Sequence, residues 1–220
     1  MARDFDGTND NVSFGSDASI DNRNPKSICM WIMVDSITGE PVLVNKEGFA
    51  VWALQITNTG RLNFEEAWTT AGRWQSPASS IATGIRYHVA VTYNNSSTSN
   101  DPTMWIDGVS QTVTEAQTPA GSAPSDAAVN LRLGTTVTNA NDLDGRIQNF
   151  VFDSTVLTSE EVNRARWWGR PRGGILVYHP FYTTKLDNEG SATAPGTATG
   201  SIMGSLVVPC GRPGMGIGLG

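Results

Sequence analysis

The sequence predicts an all-β protein, and three features predict this class. Residues 85–113 alternate apolar and polar side chains, break at a polar loop and then return, as two paired strands do. Residues 28–34 (ICMWIMV) are apolar on both faces of an extended chain, which is typical of a central strand covered on both sides. Glycine makes up 23 of 220 residues and charged residues only 16%, a composition that suits strands joined by many turns. A chain of this length can form one sandwich with a sizeable core.

The N-terminal part of the chain is predicted to form short strands joined by tight turns. The turn DGTND separates the first two strands, and KEG and NTG close two later hairpins. The predicted strands cover residues 2–5, 11–14, 28–34, 42–45, 49–56 and 61–64. Residues 68–84 are rich in Thr, Ser and Gly and are predicted to form an exposed loop or a poorly patterned strand.

The most strongly patterned hairpin follows in residues 85–113. Residues 88–93 alternate as a strand, 94–101 form a polar loop, and 104–106 form the return strand. Asp107-Gly108 is a pair preferred in tight turns with positive φ. His88 has no nucleophile motif nearby, so it is predicted to be packed and hydrogen-bonded rather than catalytic.

One short helix is predicted near residues 159–168. Thr158 and Glu161 form a capping box, and Leu157 and Val162 are spaced as a hydrophobic staple. Gly169 can end the helix in the left-handed conformation, and the proline that follows at position 171 prevents its continuation.

Four segments together resemble a known family. The middle segment, HVAVTY followed by WIDGV, closely resembles the centre of the laminin-G-like, concanavalin A-like lectin and glucanase jelly rolls. FDGTNDNV at 5–12, ICMWI at 28–32 and LDGRIQNFVFDSTVLTSEEV at 143–162 resemble other parts of that family, in the expected order. The resemblance implies an antiparallel β-sandwich of the concanavalin A-like jelly-roll type over residues 1–168. It says less about function, because this sandwich occurs in lectins, glycosidases and structural modules.

The C-terminal residues 169–220 are predicted to be an extension of that domain. GILVYHPF at 174–181 resembles the strand that usually precedes the family's F-D-G strand, so this chain carries it at the opposite end. The added strand can complete the chain's own sandwich or, by strand exchange, a neighbour's. The last residues alternate glycine with Met, Ile and Leu, a pattern that suits extended packing against a partner in an assembly.

Composition and the N-terminus restrict the function classes. The formal net charge is −6 and the sequence pI is about 4.8, so no basic face is expected for nucleic acid. The first residues contain no apolar signal-peptide core and no membrane-spanning segment is predicted. We therefore take Met1 as a native start and expect synthesis in the host cytoplasm. Cys29 is predicted to be a small buried hydrophobe, and its pairing with Cys210 stays open.

No catalytic constellation is recognised in the sequence. Glu65 and Glu66 form the only carboxylate pair that suits a glycosidase, but adjacent strand residues point to opposite faces. FEEAW also lacks the E-x-D-x-x-E spacing of the glucanases that share this fold. Both glutamates are therefore predicted to be solvated charges at a strand end, and the protein is predicted not to be an enzyme.

Two tryptophans are the candidates for glycan binding. Trp68 and Trp74 lie in the stretch predicted as a loop, and an indole face can pack against the C–H face of a pyranose. Alternatively, they seal the sandwich edge or a subunit contact.

Acidic residues at the predicted turns are the candidates for metal binding. Asp6, Asn9, Asp10, Asp142 and Asp144 suggest calcium, which prefers clustered oxygen ligands and occurs in relatives of the resembled family. The family's usual I-D-E is Ile-Gln-Asn at positions 147–149 here, which removes two carboxylates. We therefore expect no metal cofactor and name no ligands.

Arginines and tryptophans crowd the end of the predicted helix. Cations favour the negative end of the helix dipole, and Arg and Trp are also enriched at interface hot spots. The predicted partner-docking residues are Arg164, Arg166, Trp167, Trp168, Arg170 and Arg172, together with Met215, Ile217 and Leu219 of the tail.

The function that the sequence favours is a non-enzymatic structural or accessory role. We expect a decoration or cement protein on the surface of a phage or virus particle, in contact with capsid or tail proteins and with copies of itself. Lysis would explain how an extracellular-type fold without an export signal reaches the outside. Cell-surface glycans are a further expected partner. The first alternative is a carbohydrate-binding module or lectin, and the second is a glycoside hydrolase of the same fold.

Overall fold

A computed structural model describes residues 2–46, 48–136, 138, 140–171, 177–181, 197–199 and 202–204 of the chain. These residues form strands, one α-helix and one short 3-10 turn at Gly48–Ala50. The strands are β1 Ala2–Asp6, β2 Asn11–Ser13, β3 Lys26–Val34, β4 Val42–Lys46, β5 Trp52–Ile56, β6 Leu62–Glu66, β7 Gly72–Gln75, β8 Arg86–Tyr93, β9 Thr103–Ile106, β10 Val109–Ser110, β11 Thr114–Gln117, β12 Leu131–Leu133, β13 Asp144–Asp153, β14 Val177–His179, β15 Thr197–Thr199 and β16 Ile202–Gly204. The helix is α1, Ser159–Trp168.

The strands form two antiparallel sheets that pack face to face. The first sheet has the order β10-β9-β8-β3-β13-β1-β16, with β14 also paired to β13. The second sheet has the order β11-β7-β6-β5-β4-β12-β2-β15. The neighbours within each sheet are often distant in sequence, as in a jelly roll. The predicted all-β sandwich with one short helix is therefore confirmed.

Aromatic side chains fill much of the core between the sheets. Phe14 stacks on Phe150 with ring centroids 5.5 Å apart, and Trp52 stacks on Phe152 at 5.8 Å. A separate apolar cluster lies on the outer face of the first sheet, where α1 buries Val162 and Ala165 against the sheet. Strand β3 contributes to both clusters, which explains why it is apolar on both faces.

Both ends of the helix match the sequence signals. Thr158 accepts a hydrogen bond from the Glu161 backbone N–H, and the Glu161 carboxylate accepts one from the Thr158 backbone N–H. Gly169 closes the helix with φ of 79°, in the left-handed region. The tight turn at Asp107-Gly108 also has positive φ at both residues. Within the described residues, no helix is long and apolar enough to cross a membrane.

The structure corrects two predicted segments. The stretch predicted as a loop or poorly patterned strand at 68–84 contains β7, a regular strand between β6 and β11. The predicted strand at 49–56 begins instead with the 3-10 turn and becomes a strand at Trp52. At the C-terminus, β14, β15 and β16 pair with β13, β2 and β1 of the same chain.

Candidate functional site

A polar groove crosses the outer face of the second sheet on β5, β6 and β7. Alternation in β5 and β6 turns Leu54 and Phe64 into the core, which leaves Gln55, Asn63 and Glu65 on the opposite face. The residues that line the groove are Glu40, Phe49, Gln55, Thr57, Asn63, Glu65, Arg73 and Gln75, and its volume is about 410 Å³.

Strand register places the polar side chains in two parallel rows. Gln55 lies opposite Asn63, and Asn63 lies opposite Gln75, so three amides cross the sheet in line. The next row contains Glu65 opposite Arg73. The groove therefore forms because strand register brings residues of three neighbouring strands together, and no single sequence motif includes all of them.

The amide row presents a hydrogen-bond donor and an acceptor that are not used. Gln75 Nε2 donates to Asn63 Oδ1 at 3.0 Å, which fixes the orientation of the Asn63 amide. Gln55 Oε1 and Asn63 Nδ2 have no hydrogen-bond partner among the described residues. Gln55 is only 5% exposed and Asn63 only 1%. Because unpaired buried polar groups cost free energy, these two atoms call for a further hydrogen-bond partner, which water or a ligand can supply.

An ion pair and an aromatic ring complete the groove. Arg73 Nε donates to Glu65 Oε2 at 2.9 Å, with the Glu65 side chain 11% exposed and that of Arg73 43% exposed. Glu40 accepts from the Asn58 backbone N–H at 3.3 Å. Phe49, on the 3-10 turn, is half-buried at the groove and offers an apolar ring beside the polar rows. Such a surface suits a ligand with many hydroxyl groups and an apolar face.

The two adjacent glutamates point to opposite faces of the sheet, as predicted. Glu65 lines the groove, whereas Glu66 points away and receives two hydrogen bonds from Lys26 Nζ, at 2.7 and 2.6 Å. The prediction that both are solvated strand-end charges is wrong, because Glu65 is 8% and Glu66 3% exposed. The two carboxylates do not share a cleft, so they do not form a glycosidase pair.

Lys26 and Glu66 belong to a second polar region beside a cavity of about 90 Å³. Burial raises the pKa of Glu66, and the Lys26 charge opposes that shift. The side chain of Asn95 donates to the same carboxylate. Lys26 and Asn95 thus both donate to this buried carboxylate, as in a structural ion pair.

The structure does not place the predicted tryptophans in the groove. Trp74 is fully buried, and its Nε1 donates to Asp101 Oδ1 at 2.7 Å. It packs against Tyr93 with ring centroids 4.9 Å apart. No face of this indole is open to a sugar, so the prediction of Trp74 as a stacking residue is wrong. Trp68 is half-buried and does not line the groove, and its role in glycan binding stays a prediction.

The helix end forms an exposed surface, here called the Trp/Arg surface. Trp167 is 56% exposed and Trp168 71% exposed. Arg166 stacks over the Trp167 ring at 4.6 Å, and Arg170 stacks over the Tyr178 ring at 4.2 Å. The surface consists of Arg164, Arg166, Trp167, Trp168 and Arg170. The other predicted docking residues, Arg172, Met215, Ile217 and Leu219, lie outside the described residues.

His88 is packed, as predicted, beneath this surface. Its ring meets Trp31 edge-on at 5.3 Å, and the side chain is 1% exposed. Burial, followed by the nearby charges of Arg166 and Arg86, lowers the pKa of His88 to about 3. The predicted hydrogen bond is absent at Nδ1, which has no partner in the described part of the chain. The ring is therefore a neutral packing element.

The acidic turn residues are bonded to the protein itself. Asp10 accepts from the Asp6 backbone N–H at 3.0 Å, and Asp142 accepts from the Asn9 backbone N–H at 3.1 Å. Burial, together with neighbouring carboxylates, raises the pKa of Asp10 and of Asp144. Over the described ranges, no group of three or more His, Cys, Asp or Glu side chains is placed to hold a metal ion. Cys29 is buried under α1, and Cys210 lies outside the described residues.

The architecture defines a class: a jelly-roll β-sandwich, here with a polar groove on one outer face. A family model described as the concanavalin A-like lectin/glucanases superfamily matches residues 6–163, and the chain belongs to this family. No curated protein sequence matches the chain.

Several solved structures share the fold at low sequence identity. A candidate carbohydrate binding protein from Bacteroides ovatus is similar with a TM-score of 0.68 and 14% identity, over 94% of this chain. The chain spans only 60% of the length of that structure. A heptameric SAP-like pentraxin from Limulus polyphemus has a TM-score of 0.59 and 12% identity. This match covers 90% of the present chain and 93% of the pentraxin chain. The CBM40 of a Ruminococcus gnavus IT-sialidase, bound to α2,3 sialyllactose, has a TM-score of 0.51 and 18% identity. This match covers 74% of the present chain and 94% of the CBM40.

Sequence reasoning missed the groove, although a signal for it exists. The segments WALQIT, LNFEE and GRWQ each alternate core residues with polar ones, and those polar positions line the groove. The alternation predicts a polar face for each strand. It does not predict which strands become neighbours, and only the register brings the three amides into one row.

Proposed function

We propose that the protein is a non-catalytic carbohydrate-binding domain whose ligand lies in the polar groove on β5, β6 and β7. The observation that carries the proposal is the buried amide row, in which Gln55 Oε1 and Asn63 Nδ2 have no partner among the described residues. A sugar hydroxyl both donates and accepts, so one or two neighbouring hydroxyls satisfy both atoms. The Phe49 ring offers the apolar contact that a pyranose C–H face prefers.

The proposal that the groove binds without catalysis follows from the state of Glu65. Its Oε2 accepts from Arg73 at 2.9 Å, and its sequence neighbour Glu66 is engaged by Lys26 in the other direction. Glu65 and Glu66 therefore do not form the acid and nucleophile pair of a retaining glycosidase. The second carboxylate of the groove, Glu40, accepts a hydrogen bond from the Asn58 backbone N–H at 3.3 Å. Two similar structures support glycan binding, because one is described as a candidate carbohydrate binding protein and another holds sialyllactose.

Binding to a panel of immobilised glycans tests the proposal. We expect a dissociation constant on the order of 0.1–1 mM for a single site, equivalent to about −4 to −5.5 kcal/mol. Phe49→Ala and Gln75→Ala should each weaken binding, because the first removes the stacking ring and the second frees the Asn63 amide. Trp168→Ala is the matched control, since it removes an exposed aromatic far from the groove.

Folding of each variant is checked by its unfolding midpoint, which should remain close to that of the wild type for Trp168→Ala. Loss of binding in the two groove variants, with binding kept in the control, supports the groove as the site. Equal binding in all three variants would contradict it.

The Trp/Arg surface favours a second candidate function, a structural role in a larger assembly. Exposed aromatic residues beside arginines are typical of interface hot spots. Membership of a phage or virus particle remains a proposal that rests on the sequence argument. Density-gradient sedimentation of the native source, followed by mass spectrometry, tests it: stoichiometric recovery with capsid or tail proteins supports the role, and recovery only as a free species contradicts it.

A further inference from the structure

We infer that the groove selects neutral glycans over glycans that carry a carboxylate, and that Glu65 sets this selection. The inference rests on the proposed function and names the ligand class of the same groove. It follows from two independent features, the charges that line the groove and the hydrogen-bonding character of its amide row.

The acidic residues that line the groove already neutralise the positive charge of its one lining arginine. The charged lining residues are Glu40, Glu65 and Arg73, so the formal charge of the groove is −1. Arg73 is the lining residue that could recognise a carboxylated sugar, and its Nε is bonded to Glu65 Oε2 at 2.9 Å. The guanidinium has further N–H donors, but a ligand carboxylate bonded to them would lie close to the Glu65 carboxylate that already pairs with Arg73. Like charges placed together in this way disfavour a ligand.

The hydrogen-bonding groups of the amide row also favour a neutral glycan over one that places a carboxylate there. Gln55 Oε1 is an acceptor that needs a donor, and it is buried without one among the described residues. A hydroxyl supplies a donor, whereas an ionised carboxylate only accepts. Gln55 and Asn63 are cross-strand partners, so their side chains lie about 5 Å apart at Cβ and can meet one small group between them. A carboxylate at this point can accept from Asn63 Nδ2, but it would leave Gln55 Oε1 unpaired beside a negative charge, whereas a hydroxyl can satisfy both atoms.

The test uses pairs of related glycans in which one member is neutral and the other carries one or more carboxylates. Suitable pairs are lactose with α2,3-sialyllactose, and tetragalactose with tetragalacturonate, titrated by ligand-observed NMR at low and at physiological salt. We expect the neutral member to bind at least about tenfold more tightly at low salt, with a smaller ratio as salt screens the charges. Glu65→Gln raises the formal charge of the groove to zero and frees Arg73, so it should reduce the ratio to about twofold or less.

The chain offers a matched control for the charge change. Glu160 pairs with Arg164 at 2.9 Å on the exposed helix face, so Glu160→Gln makes the same change in net charge outside the groove and should leave the ratio unchanged. Arg73→Gln acts in the opposite direction from Glu65→Gln, because it leaves the carboxylates unopposed and should increase the ratio. This variant keeps the test decisive if Glu65→Gln fails to fold.

The outcomes separate the inference from the proposed function. A wild-type protein that binds acidic members as tightly as neutral ones overturns the inference and leaves carbohydrate binding intact. A ratio that does not change in Glu65→Gln or Arg73→Gln overturns the assignment to this ion pair. Binding of no glycan in the wider panel overturns the proposed function, and the inference with it.

Discussion

Removing one partner of the buried Lys26–Glu66 pair should lower the free energy of unfolding strongly, whereas replacing both partners with uncharged side chains should lower it much less. Lys26 and Glu66 are each 3% exposed, and Nζ bonds both carboxylate oxygens, at 2.7 and 2.6 Å. In Lys26→Met the Glu66 carboxylate loses this partner and stays buried. Removing one partner of such a pair typically costs about 3–5 kcal/mol of unfolding free energy. The double variant Lys26→Met/Glu66→Gln removes the charge as well and should recover most of that loss.

The pH dependence of Lys26→Met gives a second readout. Burial already raises the pKa of Glu66, and the loss of the Lys26 charge removes an opposing influence. The folded variant therefore takes up a proton at a higher pH than its unfolded state does. Its stability rises as the pH falls through the raised folded-state pKa toward the unfolded-state pKa, so the cost of Lys26→Met should be smaller at about pH 5 than at about pH 8.

Urea unfolding followed by tryptophan fluorescence measures these free energies. Arg164→Met is the control, because it breaks an exposed ion pair within α1 that should contribute only about 0.3–0.5 kcal/mol. A cost below about 1 kcal/mol for Lys26→Met, or an equal cost in the single and double variants, would refute the reasoning that burial makes this pair expensive to break.

Three further predictions concern stability. Because the folded state keeps His88 neutral down to a pKa of about 3 while the unfolded state gains a proton below about 6.5, stability should fall as the pH drops from about 7 to about 5, by about 2 kcal/mol. His88→Gln should flatten this dependence in urea titrations, and an unchanged slope would contradict the assignment. Trp74→Ala should lower the free energy of unfolding by about 3–5 kcal/mol, because it leaves a cavity in the core. Trp168→Ala should change that free energy by less than about 0.5 kcal/mol, because this side chain is exposed. Similar thermal midpoints for the two variants would count against the packing described. Thr158→Ala should cost about 1 kcal/mol, since it removes the side chain that caps the Glu161 N–H, and calorimetry showing no loss would argue against the cap.

Features that depend on a few consecutive residues were predictable from the sequence. The capping box at Thr158, the tight turn at Asp107-Gly108 and the doubly apolar strand β3 each carry their signal within a short run of residues. The family resemblance placed these elements in the right order. The fold class, the helix and the central strand could therefore be predicted from the amino-acid sequence alone.

Features that depend on partners distant in sequence could not be predicted. Glu66 looked solvated because it adjoins a second charge at the end of its strand, yet Lys26 on the other sheet pairs with it in the interior. Trp74 looked exposed because its segment is rich in small polar residues, yet β7 turns the indole into the core. The groove needs Gln55, Asn63 and Gln75 in register across three strands, and register is a property of the sheet.

The most direct measurement of the central claim is to map the bound ligand on the protein by NMR. The shifts of the backbone amides and of the Asn and Gln side-chain amides are followed while the neutral glycan that binds best is added to the ¹⁵N-labelled protein. The account predicts that the largest shifts fall on β5, β6 and β7 and on the side-chain amides of Gln55, Asn63 and Gln75. Shifts confined to α1 and the Trp/Arg surface, or to the segment around Trp68, would contradict the assignment of the groove as the binding site.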